Sequence, residues 1–128
     1  MSDGEHQEGQ TWEAIMSASK FKLNHLTALI DCNGLQIEGT TDEVMPLGDL
    51  AQKYSDFGWE VQKIDGHDFT QILWALQWAE TCEKPAMILA QTILWKGVSF
   101  MEKNWKYHDW PARAEDTEKA RAELSMPL

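Results

Sequence analysis

Pro85-Ala86-Met87-Ile88-Leu89-Ala90 is the stretch on which the fold turns. An unbroken apolar run behind a proline fits a strand buried on both faces, which is how the central strands of parallel sheets lie. Working outward, Phe69, Ile72, Leu73, Leu76 and Ala79 recur at helical spacing and predict a helix packed on that sheet. Asp68 is placed to cap it, in a strand-to-helix turn Asp65-Gly66-His67-Asp68 that His67 also serves. Trp59 to Ile64 reads as a strand, and Leu47 to Asp56 as a helix that stops at Gly58. Leu26 to Ile30 is another apolar run of strand length, followed by a loop with Asn33, Gly34 and Gly39. Gln7 to Phe21 is helical, with Trp12, Ile15, Met16 and Ser19 on one face. The βαβαβ alternation predicts an α/β fold with three α/β/α layers and a mostly parallel sheet, whose ligands bind outside the carboxyl ends of the strands.

At 128 residues, without a repeat or a linker, the chain is expected to be a single domain, 1–128, with a charged, alanine-rich helical tail from about Ala112 to Leu124. A net charge of −10 argues against nucleic acid or an anionic membrane as partner. No apolar stretch approaches the roughly 20 residues that span a bilayer. Met1-Ser2-Asp3-Gly4 lacks the basic and apolar features of a secretory leader, and Cys32 and Cys82 have no metal-like spacing. Reduced thiols and a cytoplasmic location are the expectation. His6 and His25 read as surface residues. Trp74 and Trp78, four residues apart, form a second apolar stripe on one helix. If exposed, that stripe marks a docking surface.

Chemistry concentrates at two glycine turns, Asp3-Gly4-Glu5 and Asp31-Cys32-Asn33-Gly34-Leu35, separated by one helix and one strand. Magnesium prefers octahedral oxygen coordination from one or two protein side chains, phosphates and water. Asp3 can give a carboxylate oxygen, Asn33 an amide oxygen and Leu35 its backbone carbonyl, while Gly4 lets the backbone approach a phosphate. The helix from Gln7 is placed to aim its positive end at a phosphate. Taken alone, an Asp-Gly and an Asn-Gly are more often plain surface turns.

The wording around these turns is more specific. Asp3-Gly4-Glu5-x-Gln7-Glu8-Gly9-Gln10-x-Trp12-Glu13-Ala14, Lys22-Leu23-x-x-Leu26 and Asp31-x-Asn33-Gly34-Leu35-Gln36-Ile37-x-Gly39 strongly resemble the thiamine-diphosphate-binding half of transketolase. Phe57-Gly58-Trp59-Glu60-Val61, Asp65-Gly66-His67-Asp68 and Lys96-Gly97-Val98-Ser99-Phe100-Met101-Glu102 continue the likeness, which runs from Asp3 to about His108. It is greatest to members whose two halves are separate polypeptides. The resemblance implies thiamine diphosphate and Mg2+ as cofactors, with Asp3, Asn33 and Leu35 on the metal and Asp3, Gly4, Glu5, Asn33, Ile37 and Leu94 around the cofactor. It implies His108 facing diphosphate and substrate, and Glu8, with Glu13 less favoured, as a glutamate near the dimer interface that carries protons between two cofactor sites. Dipole complementation at a helix start is the simpler account of Glu8. Asp109 stands where the family has Gly after the histidine, and Trp95 where it has Gly beside Leu94.

The implied activity is transfer of a two-carbon ketol unit between phosphosugars, with this chain supplying the diphosphate and metal anchor. The implied partner is a pyrimidine-binding transketolase half or subunit, which brings the activating glutamate, and the complete enzyme is expected to be oligomeric. The family carries about as much sequence again before Asp3, so the chain reads as a fragment, inactive by itself. The alternatives are a 1-deoxyxylulose-5-phosphate synthase-like fragment, which Gln7-Glu8-Gly9-Gln10 and Gly34-Leu35-Gln36-Ile37 disfavour, and a non-catalytic binding or assembly protein.

Overall fold

A computed structural model describes residues 1–109 and 113–125. The elements in chain order are α1 (Gly9–Lys20), β1 (Thr27–Cys32), a short hairpin β2 (Leu35–Gln36) and β3 (Gly39–Thr40), then α2 (Thr41–Val44) and α3 (Leu50–Asp56). They continue with β4 (Glu60–Asp65), α4 (Phe69–Glu80), β5 (Ala86–Gln91) and α5 (Ala114–Leu124). Ala112, the expected start of the tail helix, lies outside the described residues.

β1, β5 and β4 form a parallel sheet in that order, Ala86 standing opposite Thr27 on one side and Glu60 on the other. β5 is therefore central, and Ala86 to Ala90 are buried on both faces, as an apolar run without alternation requires. Its residues alternate between two cores. Met87 and Leu89 pack with Ile30 against Ile15 and Ala18 of α1 and Leu50, Ala51 and Tyr54 of α3. Ala86, Ile88 and Ala90 pack with Ile64 against Ala75 and Ala79 of α4. The step from β1 to β4 and the return from β4 to β5 run in opposite directions along the sheet. Right-handed connections then place α3 and α4 on opposite faces, and three layers result.

α4 departs from its predicted facing. Ile72, Ala75, Trp78 and Ala79 contribute to the core, while Phe69 (81% exposed), Leu73, Leu76 and Trp74 stay in solvent. The two alanines let the helix axis sit close on Ala86 and Ala90, and the larger side chains are displaced to its flank. The tryptophan stripe splits for the same reason, Trp78 going in and Trp74 out. On α1, Thr11, Ile15 and Ala18 are buried and Met16 is exposed.

Residues 1–3 run parallel beside the carboxyl end of β1. The Asp31 N–H donates to the Met1 carbonyl at 2.9 Å, and the Asp3 N–H to the Asp31 carbonyl at 3.0 Å. Asp3 thus arrives at the same end of the sheet as Asn33. Gly66 closes that end next to β4. A Cβ there would lie 2.5 Å from Thr92 Cγ2 and 3.1 Å from the Gln91 carbonyl oxygen. Thr92 Oγ1 is hydrogen-bonded to the Asp31 carboxylate, so its methyl is not free to swing away. Gly66→Ala is expected to cost about 1–3 kcal/mol of stability, the usual penalty of overpacking. A thermal melt indistinguishable from the parent's would contradict this.

Candidate cofactor and metal site

Asp3 is the buried acid of the carboxyl-end surface, 5% exposed. Its Oδ1 accepts from the Gly4 N–H at 2.8 Å and its Oδ2 from the Gly34 N–H at 2.7 Å, so one carboxylate joins both glycine turns. Gly34 is at φ 72°, a left-handed conformation that glycine reaches without a side-chain penalty and that aims its N–H back at Asp3. Asn33 Oδ1 accepts from the Leu35 N–H at 2.8 Å, which fixes the amide over the entrance to the hairpin. Leu35 is buried and paired with Thr40. Asp3, Gly4, Asn33, Gly34 and Leu35 are therefore brought together.

Burial pushes the Asp3 carboxyl above its ordinary value, the two backbone N–H groups pull the other way, and the nearby Asp31 charge adds to the rise. Among the described residues no cationic side chain bonds to it, the one ion pair being the exposed Lys63–Asp49 contact at 3.5 Å. The two N–H bonds leave about half of the carboxylate's roughly four lone-pair positions free. A desolvated carboxylate with spare acceptor capacity and no cationic partner is the environment a metal ion compensates. No three His, Cys, Asp or Glu side chains among the described residues are grouped for a metal. The donors expected from the sequence, one carboxylate, one amide and a backbone carbonyl, would suit a hard cation completed by phosphate and water. The residues present fit magnesium.

Asp3 also lines a cleft of about 290 Å³ with Cys32, Thr41, Asp42, Asp49 and Lys63. Burial, with Asp3 and Asp31 adding to it, pushes the Cys32 thiol up to about 12, so it remains a protonated, unreactive wall of that cleft. A separate groove of about 630 Å³ runs between Ile37, the 104–107 turn and Arg113 and Asp116 of the α5 entry. Ile37 is 56% exposed at the hairpin tip.

The remaining expected site residues spread around this end. Glu5 is exposed, and its Oε2 accepts from the Ser2 N–H while its own N–H donates to Ser2 Oγ, both at 3.2 Å. Glu8 is the exposed residue before α1 and makes no side-chain capping bond. Leu94 is half-buried, its carbonyl accepting from the Lys103 N–H at 3.2 Å. His108 is exposed behind the short 3-10 turn Trp105–Tyr107. Neither Leu94 nor His108 is in contact with the Asp3 turn through a hydrogen bond. Trp95 holds a left-handed backbone, φ 58°, which a side chain adopts at a cost of about 1–2 kcal/mol. Its Nε1–H donates to the Tyr107 carbonyl at 3.1 Å and ties the Leu94 loop to the residue before His108.

Two histidines do more than sequence reasoning assigned. His67 Nε2 accepts from the Ile93 N–H at 2.8 Å, joining the turns after β4 and β5. His6 is not on the surface. It is 1% exposed, and burial holds its imidazole below the ordinary value.

The chain matches the family described as transketolase, thiamine diphosphate binding domain, over residues 1–127. It belongs to that family. The transketolase domain is 45% identical to the 6-deoxy-6-sulfo-D-fructose transketolase subunit SqwG of Clostridium sp. (strain MSTE9), over 97% of this chain and 46% of that protein. It is 40% identical to an apulose-4-phosphate transketolase subunit of Phocaeicola vulgatus, over 98% of this chain and 45% of that protein. The chain thus spans about half the length of these curated relatives. Among solved structures, a transketolase from Campylobacter jejuni superposes with a TM-score of 0.87 at 33% identity, covering 95% of this chain and 19% of the other. Among the described residues, no helix of the domain is long and apolar enough to cross a membrane.

Proposed function

We propose that this transketolase domain anchors the diphosphate and metal ends of thiamine diphosphate in a magnesium-dependent ketol-transfer enzyme. The observation that supports it most is the buried Asp3 carboxylate, clamped by the Gly4 and Gly34 N–H groups yet bonded to no cationic side chain among the described residues. Asp3, Asn33 Oδ1 and the Leu35 carbonyl would hold Mg2+. Gly4 and Glu5 border the phosphates, and Ile37 and Leu94 give apolar contact to the cofactor. When bound, thiamine diphosphate supplies the electron sink for moving a two-carbon ketol unit between phosphosugars.

The chain's own residues position and exclude. The positive end of α1 favours the diphosphate charge. Glu8, exposed before that helix, would lie near a subunit interface and relay protons between two cofactor sites. His108, carried on a turn that Trp95 braces, donates a hydrogen bond to the phosphosugar. A partner half or subunit, which the name of the apulose relative parallels, brings the pyrimidine-binding surface and its glutamate, and the complete assembly works in the cytoplasm.

The 128-residue chain supplied with thiamine diphosphate and magnesium is expected to show no ketol transfer, because catalysis requires both ends of the cofactor to be held together. Turnover above background in a coupled assay of the chain alone would overturn this division of labour. Calorimetry should show cofactor binding only while a divalent cation is present, and a titration unchanged by chelator would remove the metal from the reading.

A further inference from the structure

We infer that the buried pair His6–Tyr54 is a strut that holds the Asp3 turn in the orientation the cofactor site needs. His6 has a use for every polar atom it owns. Its N–H donates to the Asp3 carbonyl at 2.9 Å, and its own carbonyl accepts from Trp12 Nε1–H at 2.8 Å. Ring Nδ1 lies 2.8 Å from the Ser2 carbonyl and 3.2 Å from the Asp3 carbonyl. Both neighbours are acceptors, so Nδ1 carries the proton, and in the neutral ring Nε2 is bare. Nε2 must then accept, and the Tyr54 hydroxyl, 2.9 Å away, is its donor.

Tyr54 is a rigid anchor for that bond. It is 0% exposed on α3, and its ring meets Trp59 edge-on at 5.2 Å between centroids. Trp12 stands edge-on to the imidazole at 5.8 Å, so rotation of the His6 ring is blocked from the α1 side as well. The chain of bonds runs from α3 through Tyr54 and His6 to the carbonyls of Ser2 and Asp3, immediately behind the carboxylate that faces Gly34. A buried imidazole is costly to desolvate, and an apolar side chain would fill the same volume without that cost. What the polar pair adds is direction. Its role towards magnesium and diphosphate rests on the proposed anchor, whereas its grip on the turn does not.

His6 and Tyr54 touch neither metal nor cofactor in this reading, and they act through Asp3 as positioning residues. Amide hydrogen exchange by nuclear magnetic resonance on the complete chain, without cofactor, tests the strut. In His6→Leu and Tyr54→Phe the Gly34 amide, which reports the Asp3–Gly34 bond, should exchange at least tenfold faster, while the central Ile88 amide slows or speeds only with global stability. His6→Gln, whose amide can donate to Ser2 and accept from Tyr54, should recover most of the protection. Titration of the same variants with magnesium and thiamine diphosphate should show affinity weakened five- to tenfold in His6→Leu and recovered in His6→Gln. Gly34 exchange that changes in step with Ile88 would reduce the pair to ordinary packing and overturn the inference, as would faster Gly34 exchange with unchanged affinity. If the parent binds no cofactor, the anchor reading fails and the Gly34 and Ile88 rates alone decide the strut.

Discussion

Asp3→Ala is expected to weaken magnesium-dependent thiamine diphosphate binding by roughly 30- to 1,000-fold, the equivalent of about 2–4 kcal/mol for a lost charged ligand. Two effects add. The site loses its buried carboxylate, and the Gly34 N–H that it accepts at 2.7 Å is left without that partner. Asp3→Asn separates them, since the amide keeps one acceptor for the turn while removing the charge. It should retain more of the parent's thermal stability than Asp3→Ala and little of its metal affinity. Asn33→Ala should cost less, because water can replace a neutral oxygen. Glu83→Ala, at an exposed acid between α4 and β5, is the control and should leave binding unchanged. Calorimetric titration at fixed magnesium decides it. Parental affinity in Asp3→Ala, or equal weakening in Glu83→Ala, would place the metal elsewhere.

The largest loss of stability is expected at the middle of the sheet. Ile88 is 0% exposed, at the centre of β5, between Leu29 of β1 and Gln62 of β4 and against α4. Ile88→Ala should cost about 2–5 kcal/mol, the transfer free energy of the lost methyl groups plus the cavity left behind. In a domain of this size that lowers the melting temperature by roughly 10–20 °C. Leu76→Ala, on the exposed flank of α4, removes a side chain of similar size and should cost less than about 1 kcal/mol. Equal shifts in the two melts would mean that the sheet and helix are not packed as described.

The two residues also show what a sequence discloses and what it withholds. Ile88 is legible because burial on both faces removes the alternation that other strands show, and a five-residue apolar run such as Ala86 to Ala90, too short for a helix of ordinary length, fits little besides a central strand. Leu76 is misread because helical spacing identifies a set of apolar residues without saying which of two adjacent stripes faces the sheet. Ala75 and Ala79 decide that by allowing close approach, an effect of backbone distance that residue hydrophobicity does not express. The Asp3 and Asn33 turns are legible since a glycine marks the backbone at each, and the hydrogen bond between them joins the two. His6 is illegible for a different reason. Its hydroxyl partner, Tyr54, lies 48 residues away on another helix, and no local pattern distinguishes a satisfied buried histidine from an exposed one.

The order β1-β5-β4 has a consequence for how the domain assembles. Pairing β4 with β5 joins Glu60 to Ala86, a separation of 86 − 60 = 26 residues, with α4 inside the loop. Pairing β1 with β5 joins Thr27 to Ala86, a separation of 86 − 27 = 59. Loop-closure entropy favours the shorter connection by about 0.7 kcal/mol, and contacts of smaller sequence separation form sooner. The unit β4-α4-β5 is therefore expected to close before β1 pairs with β5. Asn33, Gly34 and the Asp31 backbone that receives Asp3 all travel with β1. The bond from the Gly34 N–H to the Asp3 carboxylate closes a loop of 34 − 3 = 31 residues, a cost near that of β4-α4-β5, so the clamp is free to form with β1 before β1 enters the sheet.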